Sequence, residues 1–170
     1  PDDGHYTTAR DLATITSYAM QNEIFRTVVS AKTYKAEYRS LVIANSNKLL
    51  HTYDFIKGVK TGYTKAAGRC LVSYAEKDGC SLIAVTMNAP DDWNDHIKLY
   101  DEGFSRVSAT VLFDTDTYKC VRSVLNGNTP AYLFNSRPIY GLIVDGKEIT
   151  AMNNKDLTTF RRHDVGFVFQ

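Results

Sequence analysis

The chain has 170 residues, 44% hydrophobic and 23% charged, a balance that excludes disordered and fibrous classes and allows one ordinary domain, or part of a larger one with a small second unit. Lys and Arg number 20 against 19 Asp and Glu, a formal net charge of +1, so no general charge field calls for nucleic acid or an anionic membrane as partner. No apolar run reaches the length needed to cross a bilayer, and the start Pro1-Asp2-Asp3-Gly4-His5 has no apolar signal core.

Thr8 stands three residues before Asp11, the spacing of a capping box, and Leu12, Ile15, Ala19 and Met20 recur at helical intervals, which predicts a helix over 8–22. A second short helix is expected from Glu23 to Ala31. The alternating aromatics from Thr33 to Tyr38 read as a strand. Asn45-Ser46-Asn47-Lys48-Leu49-Leu50 reads as a polar turn, a loop leading to a strand around Phe55 to Tyr63. Two apolar runs, Cys70 to Ala75 and Leu82 to Met87, flank Lys77-Asp78-Gly79, and an Asp-Gly pair between such runs signals a hairpin. Asp91-Asp92 supplies an N-cap to a helix over 92–104, whose face carries Trp93, Ile97, Tyr100 and Phe104.

From about Val107 the pattern changes to short β-like pieces punctuated by Asn126-Gly127-Asn128, Arg137-Pro138, Asp145-Gly146 and Asn153-Asn154. The fold class expected is therefore α+β: an antiparallel sheet with packed helices over 1–106, then a small all-β domain over 107–170. The closing run Phe167-Val168-Phe169-Gln170 has no terminating turn, which reads as an incomplete module.

The run Lys60-Thr61-Gly62 suits one chemistry. In serine acyl-transfer enzymes an edge strand with this tripeptide offers its backbone to an extended peptide, a lysine charge faces the substrate carboxylate and a glycine permits close approach. Alone, three residues also describe any exposed strand start with a solvated lysine. The surrounding blocks narrow the choice: Gly58 to Gly68 around the tripeptide, Asn45 to Leu50 before it, and His5-Tyr6-Thr7-Thr8-Ala9-Arg10-Asp11-Leu12-Ala13 further upstream. In this order and at these gaps the chain resembles the low-molecular-mass D-alanyl-D-alanine carboxypeptidases, serine-type penicillin-binding proteins of the S11 class. The resemblance continues through the hairpin and Asn88-Ala89-Pro90-Asp91-Asp92 to Gly103-Phe104, and so covers residues 1–106. The tail is similar to the family's C-terminal β-rich domain in position and character.

The resemblance implies a part of a cell-wall hydrolase that removes the terminal D-alanine of a peptidoglycan stem peptide through an acyl-enzyme, is acylated by β-lactams, works outside the cytoplasm and uses no cofactor. It implies that Lys60 stabilises negative charge, that Thr61 binds the terminal carboxylate, that Gly62 keeps the strand open and that the Tyr63 N–H is an oxyanion donor. The family's other two elements, Ser-x-x-Lys and Ser-x-Asn, are absent: no serine of this sequence has a lysine three residues on or an asparagine two residues on. Isolated, the chain is expected to be inactive, whether a truncated or split product or a degenerate relative. A non-catalytic cell-wall binding module is the alternative. Apolar surface left uncovered by a missing segment points to a homodimer or a swapped assembly.

Other residues invite plainer readings. His5, His51, His96 and His163 share no ligand spacing and read as surface or capping residues, with no metal site. Asp11 reads as a helix-start residue, Lys57 as a solvated lysine and Trp93 as core. The cysteines are Cys70, Cys80 and Cys120, without a C-x-x-C pair; Cys70 and Cys80 leave two readings open, a facing pair or buried free thiols.

Overall fold

The computed structural model describes residues 2, 4–36, 41–117, 119–122, 131–134 and 137–149. Helix α1 (Ala9–Ala19) opens with the expected capping box: the Asp11 N–H donates to the Thr8 hydroxyl at 3.1 Å and the Thr8 N–H donates to the Asp11 carboxylate at 3.3 Å. Two donors that a helix start leaves unpaired are thereby satisfied. Helix α2 (Glu23–Ser30) is capped by Asn22, whose side-chain oxygen accepts from the Phe25 N–H at 3.1 Å. Strands β1 (Thr33–Ala36) and β2 (Leu41–Ala44) form an antiparallel pair, Thr33 opposite Ala44. Tyr38, the expected end of the first strand, lies outside the described residues.

The segment after β2 differs from the expected loop. Residues Lys48–Thr52 form a short helix, α3, because the Asn47 side chain accepts from the Leu49 N–H at 3.1 Å and both Leu49 and Leu50 are buried. Five residues make little more than one turn, too few for a helical period to be seen in the sequence.

The centre of the molecule is an antiparallel sheet, β3 (Ile56–Thr64), β4 (Gly68–Lys77) and β5 (Cys80–Thr86), in the order β3-β4-β5. Asp78 and Gly79 both take positive φ, 51° and 78°, as the expected tight hairpin between β4 and β5 requires. Register pairs Gly62 with Cys70 and Lys77 with Cys80, so the two cysteines do not face each other; both are free thiols, which overturns the facing pair.

Helix α4 (Asp92–Arg106) packs on β4 and β5. At its start the Asp91 side chain makes no cap to the backbone; its carboxylate accepts from Asn94 Nδ2 at 2.8 and 3.1 Å, while Asp92 Oδ1 accepts from the Trp93 N–H at 2.9 Å. The core beneath α4 gathers Leu49, Ile56, Leu71, Ala75, Ala84 and Tyr100, with Trp93, Ile97 and Phe104 partly buried against it. Alternation along a strand sends Leu71, Ser73 and Ala75 to that face and Val72 and Tyr74 to the other. On the other side Tyr74 feels the charge of Arg26 on α2, and α1 and α2 lie across the sheet from α4.

Strand β6 (Val107–Phe113) follows α4 without a linker, and after it come β7 (Lys119–Arg122), β8 (Ala131–Phe134), β9 (Ile139–Val144) and β10 (Lys147–Glu148). Among the described residues this part contains strands and no helix, in pairs β7-β8 and a sheet of order β10-β9-β6. Asp145 and Gly146 turn the chain between β9 and β10 with φ of 49° and 74°. The Asn126 to Asn128 and Asn153-Asn154 punctuation lies outside the described residues. Val107 and Val144 close a second apolar cluster with Cys80 of β5, whose thiol pKa burial raises. Beside it Arg106 donates to Asp145 through Nε at 2.8 Å and Nη2 at 2.6 Å.

Candidate active site

The four residues singled out from the sequence, Lys60, Thr61, Gly62 and Tyr63, lie together on β3, at the edge of the central sheet. An antiparallel strand paired on one side turns half of its backbone groups outward, and those groups can bind another extended chain. Lys60, Gly62 and Tyr63 are exposed, Tyr63 by 71%, and Thr61 is partly so. The Lys60 ammonium donates to the Thr61 carbonyl. Thr61 Oγ1 stands 2.9 Å from Ser46 Oγ, a contact not expected from the order of residues. Lys57 is tied to the Asp54 carbonyl at 2.7 Å and is not merely solvated.

A Cβ built on Gly62 would meet nothing nearer than the Cys70 Cβ at 3.8 Å, an ordinary contact. The fold therefore does not require glycine there. Gly68, where β3 turns into β4, is different: its φ is +67° and an added Cβ would come within 2.1 Å of Asn88 Oδ1.

Behind the strand, Arg69 pairs in register with Tyr63 and sends its guanidinium to α4, with Nε and Nη2 at 3.1 and 2.6 Å from Asp92 Oδ1 and its carbon 5.4 Å from the centre of the Trp93 ring. Trp93 thus packs on the core as expected and also carries a cation on its face.

The histidines correct one expectation. His51 caps locally, its Nε2 2.9 Å from the Asn45 carbonyl, and His5 is exposed, but His96 is neither a surface nor a capping residue. It is fully buried, with Nδ1 2.6 Å from Ser73 Oγ and Nε2 3.0 Å from Thr86 Oγ1, and Ser73 Oγ is also 2.6 Å from the Tyr100 hydroxyl. Burial brings the His96 pKa down to about 4, against the opposing pull of the Asp92 charge and the Leu71 carbonyl. The one available signal was its place at i−4 from Tyr100 on the apolar face. Ser73, His96 and Tyr100 are 0–1% exposed; a serine and a histidine sealed this way hold α4 to the sheet and cannot receive a substrate. His163 lies outside the described residues.

Solved structures with the same arrangement define the class. The chain superposes on penicillin-binding protein 5 from Haemophilus influenzae with a TM-score of 0.61 at 25% identity, over 86% of this chain and 44% of that one. It superposes on the S216A mutant of the Streptomyces K15 DD-transpeptidase with a TM-score of 0.58 at 35% identity, over 62% of this chain and 45% of that one. The fold is that of the low-molecular-mass penicillin-binding proteins, with helices packed on an antiparallel sheet.

Among curated proteins, the D-alanyl-D-alanine carboxypeptidase of Streptomyces sp. (strain K15) is 36% identical over 112 residues, 59% of this chain and 38% of that protein. D-alanyl-D-alanine carboxypeptidase DacF of Bacillus subtilis (strain 168) is 29% identical over 155 residues, 87% of this chain and 40% of its own length. The chain spans about two fifths of the length of these relatives. The peptidase S11 model, described as D-alanyl-D-alanine carboxypeptidase, matches residues 1–91, and the chain belongs to that family.

Proposed function

We propose that this chain forms the substrate-binding wall of a serine D-alanyl-D-alanine carboxypeptidase, with residues 1–106 belonging to its catalytic domain and 107–170 to a β-rich C-terminal domain. The observation that carries the reading is the open edge of β3, where Lys60, Gly62 and Tyr63 are exposed and the fold places no demand for glycine at position 62. An extended peptide adds to such an edge through main-chain hydrogen bonds, and the absence of a Cβ at Gly62 lets its backbone come close.

In this reading Lys60 stabilises negative charge and Thr61 binds the terminal carboxylate. The Tyr63 N–H stabilises the oxyanion, and removing one such donor costs on the order of a hundredfold in rate. The nucleophile is a serine of a Ser-x-x-Lys element, which these 170 residues do not contain. Its oxygen attacks the carbonyl carbon of the penultimate D-alanine as the lysine takes its proton; the peptide C–N bond breaks, the departing D-alanine nitrogen is protonated, and water then hydrolyses the serine ester. The same serine opens β-lactams. Peptidoglycan stem peptides ending in D-Ala-D-Ala are the substrate class, and the work is done outside the cytoplasm.

The test is chemical. The 170-residue chain incubated with a labelled penicillin gains no mass and releases no D-alanine from a D-Ala-D-Ala peptide, whereas the same chain carried in a protein with Ser-x-x-Lys and Ser-x-Asn elements is acylated. A penicilloyl adduct on any serine of the isolated chain sinks this assignment of the catalytic apparatus. Acylation of the complete protein that ignores Lys60→Ala would leave Lys60-Thr61-Gly62 as a mere strand, and a complete protein without any acylation would return the chain to the non-catalytic alternative.

A further inference from the structure

The loop before α3 is held by more bonds than a plain connection needs. Asn45 Nδ2 donates to the Ala31 carbonyl at 3.1 Å and the Val29 carbonyl at 3.4 Å, its Oδ1 accepts from the Asn47 N–H at 3.0 Å, and its own carbonyl is met by His51 Nε2. Asn47, only 1% exposed, is fixed in turn by the Leu49 N–H. Between these two anchors stands Ser46, exposed, with its hydroxyl 2.9 Å from that of Thr61. The residues are fifteen apart in sequence, and the anchored loop is what delivers one to the other.

Counting protons gives this contact a direction. Two hydroxyls carry two hydrogens, and the bond between them uses one, leaving one to donate outward. If Ser46 donates, the outward hydrogen is that of Thr61, and its oxygen, already accepting, is a stronger donor because bonds in a chain polarise one another. Thr61 is β-branched with a stiff χ1, so the contact also selects a rotamer. The Lys60 ammonium meanwhile occupies the Thr61 carbonyl, so what the Thr61 side chain can offer a ligand is the hydroxyl hydrogen that the bond to Ser46 does not use.

We propose that Ser46 is a positioning residue: it donates to Thr61 Oγ1 and thereby aims the Thr61 hydrogen at the C-terminal carboxylate of a peptide laid along β3. The inference rests on the reading of β3 as the substrate strand and adds the element that sets its preference for a free acid terminus. An outward O–H bonds more strongly to an ionised carboxylate than to a neutral amide.

The experiment uses the complete protein and compares a peptide ending in D-Ala-D-Ala with the same peptide amidated at its C-terminus, for the parent and for Ser46→Ala, Ser46→Thr and Thr61→Val. Ser46→Ala raises KM for the acid about tenfold, because the Thr61 hydrogen is no longer held on the carboxylate and one hydrogen bond to a charged group is weakened, with a smaller effect on kcat, and narrows the preference for acid over amide. Ser46→Thr keeps the hydroxyl and restores both, and the melting temperature is unchanged in Ser46→Ala. If Thr61→Val impairs the enzyme and Ser46→Ala does not, the inference is overturned and the strand reading stands. If Ser46→Ala weakens acid and amide alike, Ser46 is structural only, which also overturns it. If neither substitution matters, or the complete protein turns over neither peptide, the strand reading fails and takes the inference with it.

Discussion

Two glycines of β3 and β4 separate what the fold demands from what the site demands. Gly68 sits at positive φ with Asn88 Oδ1 in the place of a Cβ, so Gly68→Ala combines a left-handed backbone penalty with a clash against a neighbour. The expected loss is about 2 kcal/mol or more, read as a lower urea midpoint. Gly62 has room for a methyl group, and Gly62→Ala should change the unfolding free energy by less than about 0.5 kcal/mol while impairing acylation of the complete protein. A Gly62→Ala protein that unfolds as readily as Gly68→Ala would mean that glycine 62 serves the fold. The tripeptide was legible because a short motif with fixed neighbours survives in sequence order; Ser46 was not, since its meaning comes from Thr61, fifteen residues away.

At the scale of elements, α4 is joined to the sheet through a buried network that a neutral His96 satisfies. With His96 neutral and protonated on Nε2, the Tyr100 O–H donates to Ser73, the Ser73 O–H donates to Nδ1, and Nε2–H donates to Thr86 Oγ1, so every bond has one hydrogen. Burial penalises the charged ring, and protonating Nδ1 would also take the acceptor that the Ser73 hydrogen uses, while the Asp92 charge and the Leu71 carbonyl partly oppose the shift. The folded pKa of about 4 lies below the unfolded value of 6.5, so the unfolded chain takes up the proton first. Stability from this group is whole above about pH 6.5 and declines as pH falls toward 4, by about 3 kcal/mol in all. Urea unfolding at pH 7.5 and pH 5 should show about 2 kcal/mol of that loss, and His96→Gln, though weaker throughout, should lose less between the two pH values. Equal losses in both proteins, or a His96 ring titrating near 6.5 in the folded chain, would remove His96 as the cause. The helix was legible from Trp93, Ile97, Tyr100 and Phe104, and the hairpin from Asp78-Gly79. The polar network was not, because a histidine on an apolar face looks the same in sequence whether it is sealed or wet, and α3 was too short to show a period.

For the whole molecule the question is what the apolar surface of the first forty-odd residues does. Ile24 and Val28, one turn apart on α2, are 76% and 65% exposed, Ile15 and Tyr18 on α1 are 62% and 78%, and Val42 and Ile43 on β2 are 60% and 50%. The apolar period of α1, with Ile15 in it, was readable from the sequence, but a period tells which residues want cover without telling what covers them, and α2 was expected only as a short helix. Among the described residues α2 has no fully buried side chain, although a helix of this kind in a globular protein turns its apolar stripe to a core. Exposed apolar residues concentrated on neighbouring elements favour association over isolated monomers. The 170-residue chain is therefore expected to self-associate at tens of micromolar, the range in which weak apolar contacts saturate. Sedimentation velocity should give a species heavier than one chain, and the double substitution Ile24→Glu with Val28→Glu should shift it toward monomer while the far-UV spectrum holds, since both side chains already face solvent in a single copy. A parent chain that sediments as a clean monomer at that concentration would refute self-association through this surface. A double variant that associates as strongly as the parent would place the contact elsewhere, with β2, which exposes Val42 on one face and Ile43 on the other, the next to substitute.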